Sequence, residues 1–160
     1  MQNEVMEPVL NEHNKKEYPP MHTAEHILNG TMVAMFGCGR HVSAHVERTK
    51  SKLDYDFPRA LTADELAEIE RRVNGVIDAD VPVNVRFISQ AEAASEFDLG
   101  RLPEGASDTV RVVCVGDCDR CLCAGDHVAH TGEIGHFRIS STRWQAGRLR
   151  LVFRLDEPKQ

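Results

Sequence analysis

Hydrophobic residues recur along the chain at spacings that predict three helices. Between His22 and Phe36 they suit a helix packed against a core, and two glycines soon afterwards indicate where it ends. A second helix is predicted to begin after Thr62, which can act as an N-cap and has Glu65 three positions on, the pattern of a capping box. Its apolar face follows helical spacing and consists of Leu66, Ile69, Val73, Val76 and Ile77. Residues 91–97 predict a third, short helix.

Alternating and β-branched patterns predict strands in much of the remaining chain. Residues 42–47 and 53–57 roughly alternate between apolar and polar positions, which predicts a β-hairpin. Further predicted strands are 81–88, 110–115, 136–141 and 149–155, with Ala146-Gly147 joining the last two. Together these elements predict an α+β fold, a mainly antiparallel sheet packed with helices in a single domain.

Composition and length narrow the class of protein. The 160 residues are 41% hydrophobic and 28% charged, which is ordinary for one globular domain. The polar residues 1–20 predict a poorly ordered N-terminal arm, so the folded domain is expected to span 21–160. No apolar run approaches the roughly 20 residues that span a bilayer, and the N-terminus lacks the layout of a secretion signal. We therefore expect a cytoplasmic protein.

Two pairs of residues have the spacing and chemistry of metal ligands. His22 and His26 lie four positions apart, so both imidazoles face one side of the predicted helix and can bind one ion together. Cys123 and His127 offer a thiolate and a further imidazole, with a glycine between them that allows a tight bend. One sulfur and three nitrogens suit tetrahedral zinc, and such sites commonly take two ligands from each of two segments. The sequence therefore predicts a zinc site shared by a helix and a distant loop.

A cluster of cysteines supports an alternative assignment. Four of the five cysteines fall within ten residues, and the spacing of Cys118 and Cys121 is that of a zinc-binding or redox pair. An all-cysteine site formed by Cys114, Cys118, Cys121 and Cys123 would be sterically crowded. Cys114 lies in an apolar run and fits a buried, inert thiol better.

A second alternative is a small zinc hydrolase or peptidase. Residues 22–26 match the H-x-x-E-H motif of the inverted zinc peptidases, in which Glu25 would be the general base. The motif has few fixed positions, and a thiolate ligand at Cys123 would lower the Lewis acidity of the ion.

Three segments, taken in order, resemble the editing domain of alanyl-tRNA synthetases and the short stand-alone AlaX-type trans-editing proteins. They are His-Thr-Ala-Glu-His at 22–26, Leu-Cys-Ala-Gly-Asp-His-Val at 122–128 and Thr-Gly-Glu-Ile-Gly at 131–135. The resemblance runs from about residue 21 to residue 155. It implies the fold of the synthetase second additional domain, a zinc cofactor, and hydrolysis of serine or glycine wrongly attached to tRNA(Ala). The ligands that it implies are His22, His26, Cys123 and His127.

The resemblance also suggests residues that act beside the metal. The attacking group is expected to be a zinc-bound water, with Glu25 and Asp126 as candidate helpers. Asp126, with Ala124, departs from a family loop that reads close to Cys-Gly-Gly-Thr-His, and its carboxylate can bind the substrate ammonium or support a ligand histidine. Ser43 matches the family's hydroxyl-bearing position and is expected to bind substrate. Residues 131–135 resemble a structural loop of the family beneath the metal, and Glu133 is expected to have no catalytic role and at most to support a metal ligand. An inactive zinc- and tRNA-binding module of the same fold remains an alternative.

The distribution of charge along the chain affects whether it can bind tRNA. The net charge of −6 argues weakly against nucleic acid binding, but polyanions bind to local basic surface, and residues 137–160 are locally basic. Because the chain lacks a synthetase catalytic domain, it is expected to act in trans and to bind the tRNA acceptor end itself. The expected tRNA-binding residues are Arg138, Arg143, Arg148, Arg150, Lys50 and Lys52. Trp144 can stack on a base or pack in the hairpin.

Overall fold

The structure is a computed structural model that describes residues 18–97 and 109–156. Its helices are α1 (Pro19–Phe36), α2 (Ala63–Asp78) and α3 (Gln90–Ala94), with a short 3-10 helix at Thr131–Glu133. Its strands are β1 (Ser43–Val46), β2 (Lys50–Asp56), β3 (Val83–Ser89), β4 (Thr109–Val115), β5 (Asp119–Leu122), β6 (His136–Gln145) and β7 (Arg148–Asp156). None of the helices in these described ranges is both long and apolar enough to cross a bilayer.

The strands form two antiparallel sheets. A four-stranded sheet has the order β1-β2-β7-β6, and a three-stranded sheet has the order β3-β4-β5. The predicted α+β class with mainly antiparallel pairing is therefore confirmed. The strand β5 is additional to the prediction, because its residues fall in the cysteine cluster and lack the alternation that marks a half-buried strand.

One face of the four-stranded sheet forms the core with α1 and α2. Leu53, Tyr55, Leu149, Leu151 and Phe153 are all fully buried there. Directly opposed residues of antiparallel strands share a face, so alternate positions on β2, β6 and β7 project from the other side of this sheet. The sheet thus has one apolar face and one polar outer face.

The helix α2 begins and docks as its sequence predicts. Thr62 accepts a hydrogen bond from the Glu65 amide at 3.1 Å, and the Glu65 carboxylate accepts one from the Thr62 amide at 2.9 Å. Further along the helix, the Asn74 amide side chain bonds both backbone groups of Phe137 at 2.8 Å. These contacts fix α2 against the edge strand β6.

The helix α1 begins three residues before the predicted start at His22. Pro19 and Pro20 occupy its first turn, where a missing backbone N–H costs nothing because the first amides of a helix have no intrahelical acceptor. Two residues of the predicted arm are therefore helical, and residues 1–17 of that arm lie outside the described part. The helix ends at Gly37, whose left-handed conformation (φ +63°) suits glycine.

A close approach at Gly30 joins α1 to the segment that precedes β5. A Cβ atom at position 30 would overlap the backbone carbonyl oxygen of Cys118. Gly30 is buried in the helix interior, where glycine is normally unfavourable relative to alanine by about 0.5–1 kcal/mol. The glycine is retained at this position because only hydrogen fits between the two backbones.

Two glycine substitutions are expected to have opposite effects on stability. Gly30→Ala should lower the free energy of unfolding by about 1–3 kcal/mol, since the new methyl group displaces the Cys118 backbone. Gly75→Ala, in α2, should raise it by about 0.5–1 kcal/mol, since nothing lies within 4 Å of the added carbon. Urea denaturation measures the free energy of unfolding of both variants. Equal effects of the two substitutions would contradict the close contact between Gly30 and Cys118.

Candidate metal centre

The structure brings the side chains of His22, His26, Cys123 and His127 together. One donor atom from each residue lies within 4.8 Å of the others. The Cys123 Sγ lies 3.4 Å from His22 Nε2 and 3.6 Å from His127 Nε2. Zn–S and Zn–N bonds of about 2.3 and 2.0–2.1 Å in a tetrahedron place sulfur and nitrogen about 3.6 Å apart. The donor set and its spacing therefore fit a zinc ion.

The two segments of the cluster are positioned by different means. His22 and His26 stand one turn apart on α1, so their orientation follows from the helix. The loop that carries Cys123 is held by Arg111 of β4, which donates to the carbonyl oxygens of Cys123 and Gly125 at 2.9 and 2.7 Å. Strand pairing in the three-stranded sheet thus sets where the thiolate meets the helix.

Hydrogen bonds across the two segments orient two of the imidazoles. His22 Nδ1 donates to the carbonyl oxygen of Asp126 at 3.1 Å, which turns Nε2 toward Cys123. His127 Nδ1 lies 2.9 Å from the hydroxyl of Thr23, which also accepts from the Val128 amide at 3.2 Å. Such outer partners fix the ring that binds a metal. Asp126 supports the cluster through its backbone, while its side chain is exposed.

The third imidazole faces a buried carboxylate. His26 Nδ1 lies 3.2 Å from Asp119 Oδ2, with both side chains 3% exposed. Among the described residues, this nitrogen is the one buried side-chain N or O atom without a hydrogen-bond partner, so its contact with Asp119 is an electrostatic one. Arg40 donates to both Asp119 oxygens and holds the carboxylate in its ionised form. Asp119 is therefore placed to support a metal-bound His26.

The cluster favours a thiolate at Cys123. Burial alone would raise the pKa of Cys123, but hydrogen bonds with His127, His22 and His26 outweigh burial and lower the pKa to about 3. Burial would lower the pKa of His26, but the interactions with Asp119 and Cys123 raise it to about 9. The cluster without metal thus pairs a thiolate with a protonated imidazole, and a bound cation would take the place of the proton.

A buried polar network adjoins the four donors. Glu25, on the same helix, is 7% exposed and has one oxygen 3.9 Å from His22 Nε2. Its other oxygen accepts from the Asn29 amide at 3.3 Å. Asn29 also bonds the His41 ring at 2.9 Å, and its oxygen accepts from the hydroxyl of Tyr55 at 2.8 Å. The network gives the site a carboxylate and several fixed polar groups.

The structure does not bring the four clustered cysteines together. In the described residues, only one other group of donors is close enough to share an ion, namely His26, Asp119 and Cys121. The Cys118 thiol instead faces the carbonyl oxygen of Ile27 at 3.7 Å, and Cys114 accepts from Arg120. The geometry gives no support to the all-cysteine alternative.

Ser43 lies on the outer side of the four-stranded sheet. It opposes Asp54 in the β1–β2 register, and its hydroxyl donates to the Asp54 carboxylate at 3.0 Å. Glu133 accepts from the His130 amide at 3.0 Å and so caps the 3-10 helix. The substrate-binding role expected for Ser43 and the supporting role expected for Glu133 both stay predictions.

All six residues expected to bind tRNA project from the outer face of the four-stranded sheet. This follows from the strand registers, which align Lys50 and Lys52 with alternate residues of β7, and these in turn with β6. Trp144 lies on the opposite face, where its Nε1 donates to the carbonyl oxygen of Phe57 at 2.8 Å. The indole is a packing residue of the hairpin that remains 39% exposed.

Sequence reasoning missed several residues that shape the site. Asp119 lies between Cys118 and Cys121, whose spacing predicts thiol chemistry and gives no indication of a role for the acid. Arg40 and Thr23 gave no signal, because each acts on a residue about 80 to 100 positions away. A buried carboxylate next to a ligand histidine is recognisable only once the strand β5 is placed against α1.

Part of the chain matches a known protein family. Residues 110–152 match the family described as the threonyl and alanyl tRNA synthetase second additional domain. This segment contains β4, β5, the loop with Cys123 and His127, and most of the hairpin formed by β6 and β7.

The wider relatives are alanine–tRNA ligases. The chain is 39% identical over 140 residues to the enzyme of Fervidobacterium nodosum, covering 87% of this chain and 16% of that protein. It is 35% identical over 134 residues to that of Neisseria meningitidis serogroup C / serotype 2a, covering 82% and 15%. It is 33% identical over 131 residues to that of Petrotoga mobilis, covering 81% and 15%. The chain thus spans about one sixth of the length of these relatives.

These findings confirm the resemblance read from the sequence. The protein is related to alanyl-tRNA synthetases and resembles their editing domain.

Replacing the buried carboxylate is expected to weaken metal binding while leaving the four donors in place. Asp119→Asn should reduce the affinity for Zn²⁺ by about 10–100-fold, because the amide cannot stabilise the metal-bound His26 as a carboxylate does. Asp117→Asn is the matched control, since Asp117 is exposed two residues earlier. Competition with a chromophoric chelator measures the Zn²⁺ affinity of the two variants. Equal affinities would show that Asp119 does not act on the metal.

Proposed function

We propose that the protein is a zinc-dependent aminoacyl-tRNA deacylase that acts in trans on tRNA(Ala) carrying serine or glycine. The observation that carries the proposal is the meeting of His22, His26, Cys123 and His127 in a chain related to alanyl-tRNA synthetases. The bond to be cleaved is an ester between an aminoacyl carbonyl and a ribose hydroxyl, which is already activated. A cytoplasmic location belongs to the same proposal.

The protein contributes four donor atoms to the proposed zinc site. Cys123 supplies a thiolate and the three histidines supply nitrogens, held by Thr23, Asp119 and the Asp126 carbonyl. The chemistry that a zinc ion supplies at such a site is polarisation of the ester carbonyl and activation of water. The surrounding residues bind the aminoacyl group, exclude bulk water and move the proton.

Glu25 is the residue that we assign to proton transfer. It is buried, it lies on the same helix as both ligand histidines, and its Oε1 is 3.9 Å from His22 Nε2. A carboxylate at that distance can accept a proton from a water, or bind the substrate ammonium, beside the cluster. The Asn29 amide donates to its other oxygen at 3.3 Å, which orients the Glu25 carboxylate beside the cluster.

Selectivity follows from the polar groups near the cluster. A site that hydrogen-bonds the serine hydroxyl rejects alanine, since its buried polar groups would then lack partners. Glycine is smaller than alanine, so a synthetase pocket excludes it poorly and a second hydrolytic site is the remedy. Asn29, His41 and Tyr55 form the fixed polar network that adjoins the donors in this structure.

The closed donor set favours a second candidate function. Four protein ligands are typical of structural zinc, so hydrolysis at the ion requires expansion to five ligands or release of one donor. A module that binds zinc and tRNA without hydrolysis would need neither. Ala124 and Asp126, which replace a glycine and a threonine of the family loop, are consistent with such a change.

Loss of one ligand is expected to remove zinc and activity together. His26→Ala and Cys123→Ala should each lose stoichiometric zinc and deacylation of seryl-tRNA(Ala), because three donors hold the ion far less tightly than four. Cys114→Ala is the matched control, as Cys114 lies outside the donor group. Zinc content and release of labelled serine are measured on the same preparations. Full activity in a zinc-free variant would reject the role of the metal.

The substrate panel separates the candidate functions. Ser-, Gly- and Ala-charged tRNA(Ala), seryl-tRNA of another acceptor and a peptide are incubated with the purified zinc-loaded chain. A deacylase is expected to hydrolyse seryl-tRNA(Ala) at least ten-fold faster than alanyl-tRNA(Ala), because polar groups that bind the serine hydroxyl lack partners when alanine is bound. Faster hydrolysis of glycyl- than of alanyl-tRNA(Ala) would show exclusion by size, and slower hydrolysis of seryl-tRNA of another acceptor would show selection of the tRNA. Binding of tRNA without hydrolysis would favour the inactive module, and cleavage of the peptide alone would favour a small peptidase.

A further inference from the structure

A cavity lined by arginines lies beside the start of α1. Its volume is about 320 Å³, and its walls include Tyr18, Arg48, Arg138, Arg154 and Asp156. The residues come from the beginning of α1, the turn between β1 and β2, and one end of the β6–β7 hairpin. The cavity is separate from the donor cluster, and the proposed hydrolysis assigns it no role.

The strand registers concentrate positive charge at this cavity. Lys50 lies opposite Arg154 on β7, and Arg154 lies opposite Arg138 on β6, which makes a row of three cations across the sheet. Like charges directly opposite one another destabilise a sheet. An anion bound among them would remove that repulsion.

Acidic residues of the protein neutralise this row only weakly. In residues 18–97 and 109–156, the ion pairs include none to Lys50 or Arg154, and Asp156 is the only carboxylate that lines the cavity. Its contact with Arg138 is 3.5 Å long, and both side chains are about half exposed, so the pair contributes little. The row therefore retains most of its positive charge.

Two other arginines of the outer face differ from this row. Arg150 makes two bonds to Asp54, at 2.8 and 3.1 Å, and Arg148 lies 3.3 Å from Asp56. These two arginines already have carboxylate partners. Among the described ion pairs, Lys52 and Arg143 on this face have no carboxylate partner either, but they do not line the cavity. The cavity is therefore distinguished by several basic side chains that converge on one space.

The cavity is close to the donor cluster along α1. The carbonyl oxygen of Tyr18, which lines the cavity, accepts a hydrogen bond from the His22 amide at 3.1 Å. Tyr18 and His22 are thus about one helical turn apart along α1, a rise of about 6 Å. The guanidinium of Arg48 stacks over the Tyr18 ring, 4.4 Å from its centroid, which holds this arginine at the cavity.

We propose that Arg48, Arg138 and Arg154 bind a backbone phosphate at the acceptor end of tRNA. Guanidinium groups bind phosphate oxygens through paired hydrogen bonds. The 5′-phosphate of a ribose and the hydroxyl that carries the amino acid are a few bonds apart, so a phosphate in this cavity would direct the ester toward the donors. The inference rests on the proposed function and adds a positioning site to it.

Binding of a tRNA(Ala) acceptor-stem minihelix that carries no amino acid tests the site. The double variant Arg138→Gln/Arg154→Gln should bind the minihelix at least ten-fold more weakly, and its plot of log affinity against log salt should be shallower by about one, because one neutralised phosphate is lost. Arg71→Gln/Arg72→Gln on α2 removes two exposed, carboxylate-paired arginines and should bind as the unaltered protein does. Fluorescence anisotropy at several salt concentrations measures the minihelix affinity of each double variant and its salt dependence.

A second pair of variants compares positions on the same sheet. Arg148→Gln/Arg150→Gln should change the salt dependence less than the cavity double variant, because Asp54 and Asp56 already occupy these arginines. Zinc content and circular dichroism should be unchanged in every arginine variant, which excludes a loss of fold. An equal loss of minihelix binding in both sheet double variants would overturn the assignment to the cavity.

Two further outcomes are decisive. Inorganic phosphate should compete with the minihelix for binding to the unaltered protein. The inference would be overturned if the cavity double variant bound the minihelix with unchanged affinity. It would also be overturned if phosphate bound without displacing the minihelix. The minihelix assay does not depend on hydrolysis. Arginine-dependent binding without deacylation of any charged tRNA would therefore reject the proposed function alone, and deacylation with arginine-independent binding would reject this inference alone.

Discussion

The contact between α1 and the segment around β5 is the constraint on which the site depends. At Gly30 the helix backbone meets the backbone of Cys118, with no space for a side chain. That approach sets Asp119 against His26 and leads the chain into the loop that carries Cys123. A helix held further away would separate the donors of the two segments, because Cys123 Sγ of the loop lies only 3.4 Å from His22 Nε2 of the helix.

Electrostatics make this packing specific. A thiolate, three imidazoles and two carboxylates lie in a small buried volume, and each is stabilised by a neighbour of opposite charge or by a hydrogen bond. Arg40 offsets Asp119, which in turn favours the charged form of His26. Loss of one member leaves another buried charge without its partner. The charged groups therefore stabilise one another, in addition to being positioned by the helix.

The sequence predicted the elements with regular patterns and missed those defined by distant contacts. The capping box at Thr62 and the alternation of the hairpin strands are local signals, and the structure has both. The four donors were chosen by residue type, spacing and family resemblance, and the fold brings them together. Asp119 was overlooked because its role depends on pairing between β4 and β5, which no local spacing reveals.

The overall charge of −6 conceals how the charges are distributed. On α2, Glu68 pairs with Arg71 and Arg72 of its own helix, so its charge adds little to the field elsewhere. On the sheet, the alternation of side chains collects cations on one face, and the register sets Lys50, Arg154 and Arg138 in a single row. Interactions between exposed charges fade within about 10 Å at ordinary salt. A polyanion at this face therefore responds to the local row and not to the net charge of the chain, which makes an acidic protein compatible with a nucleic acid partner.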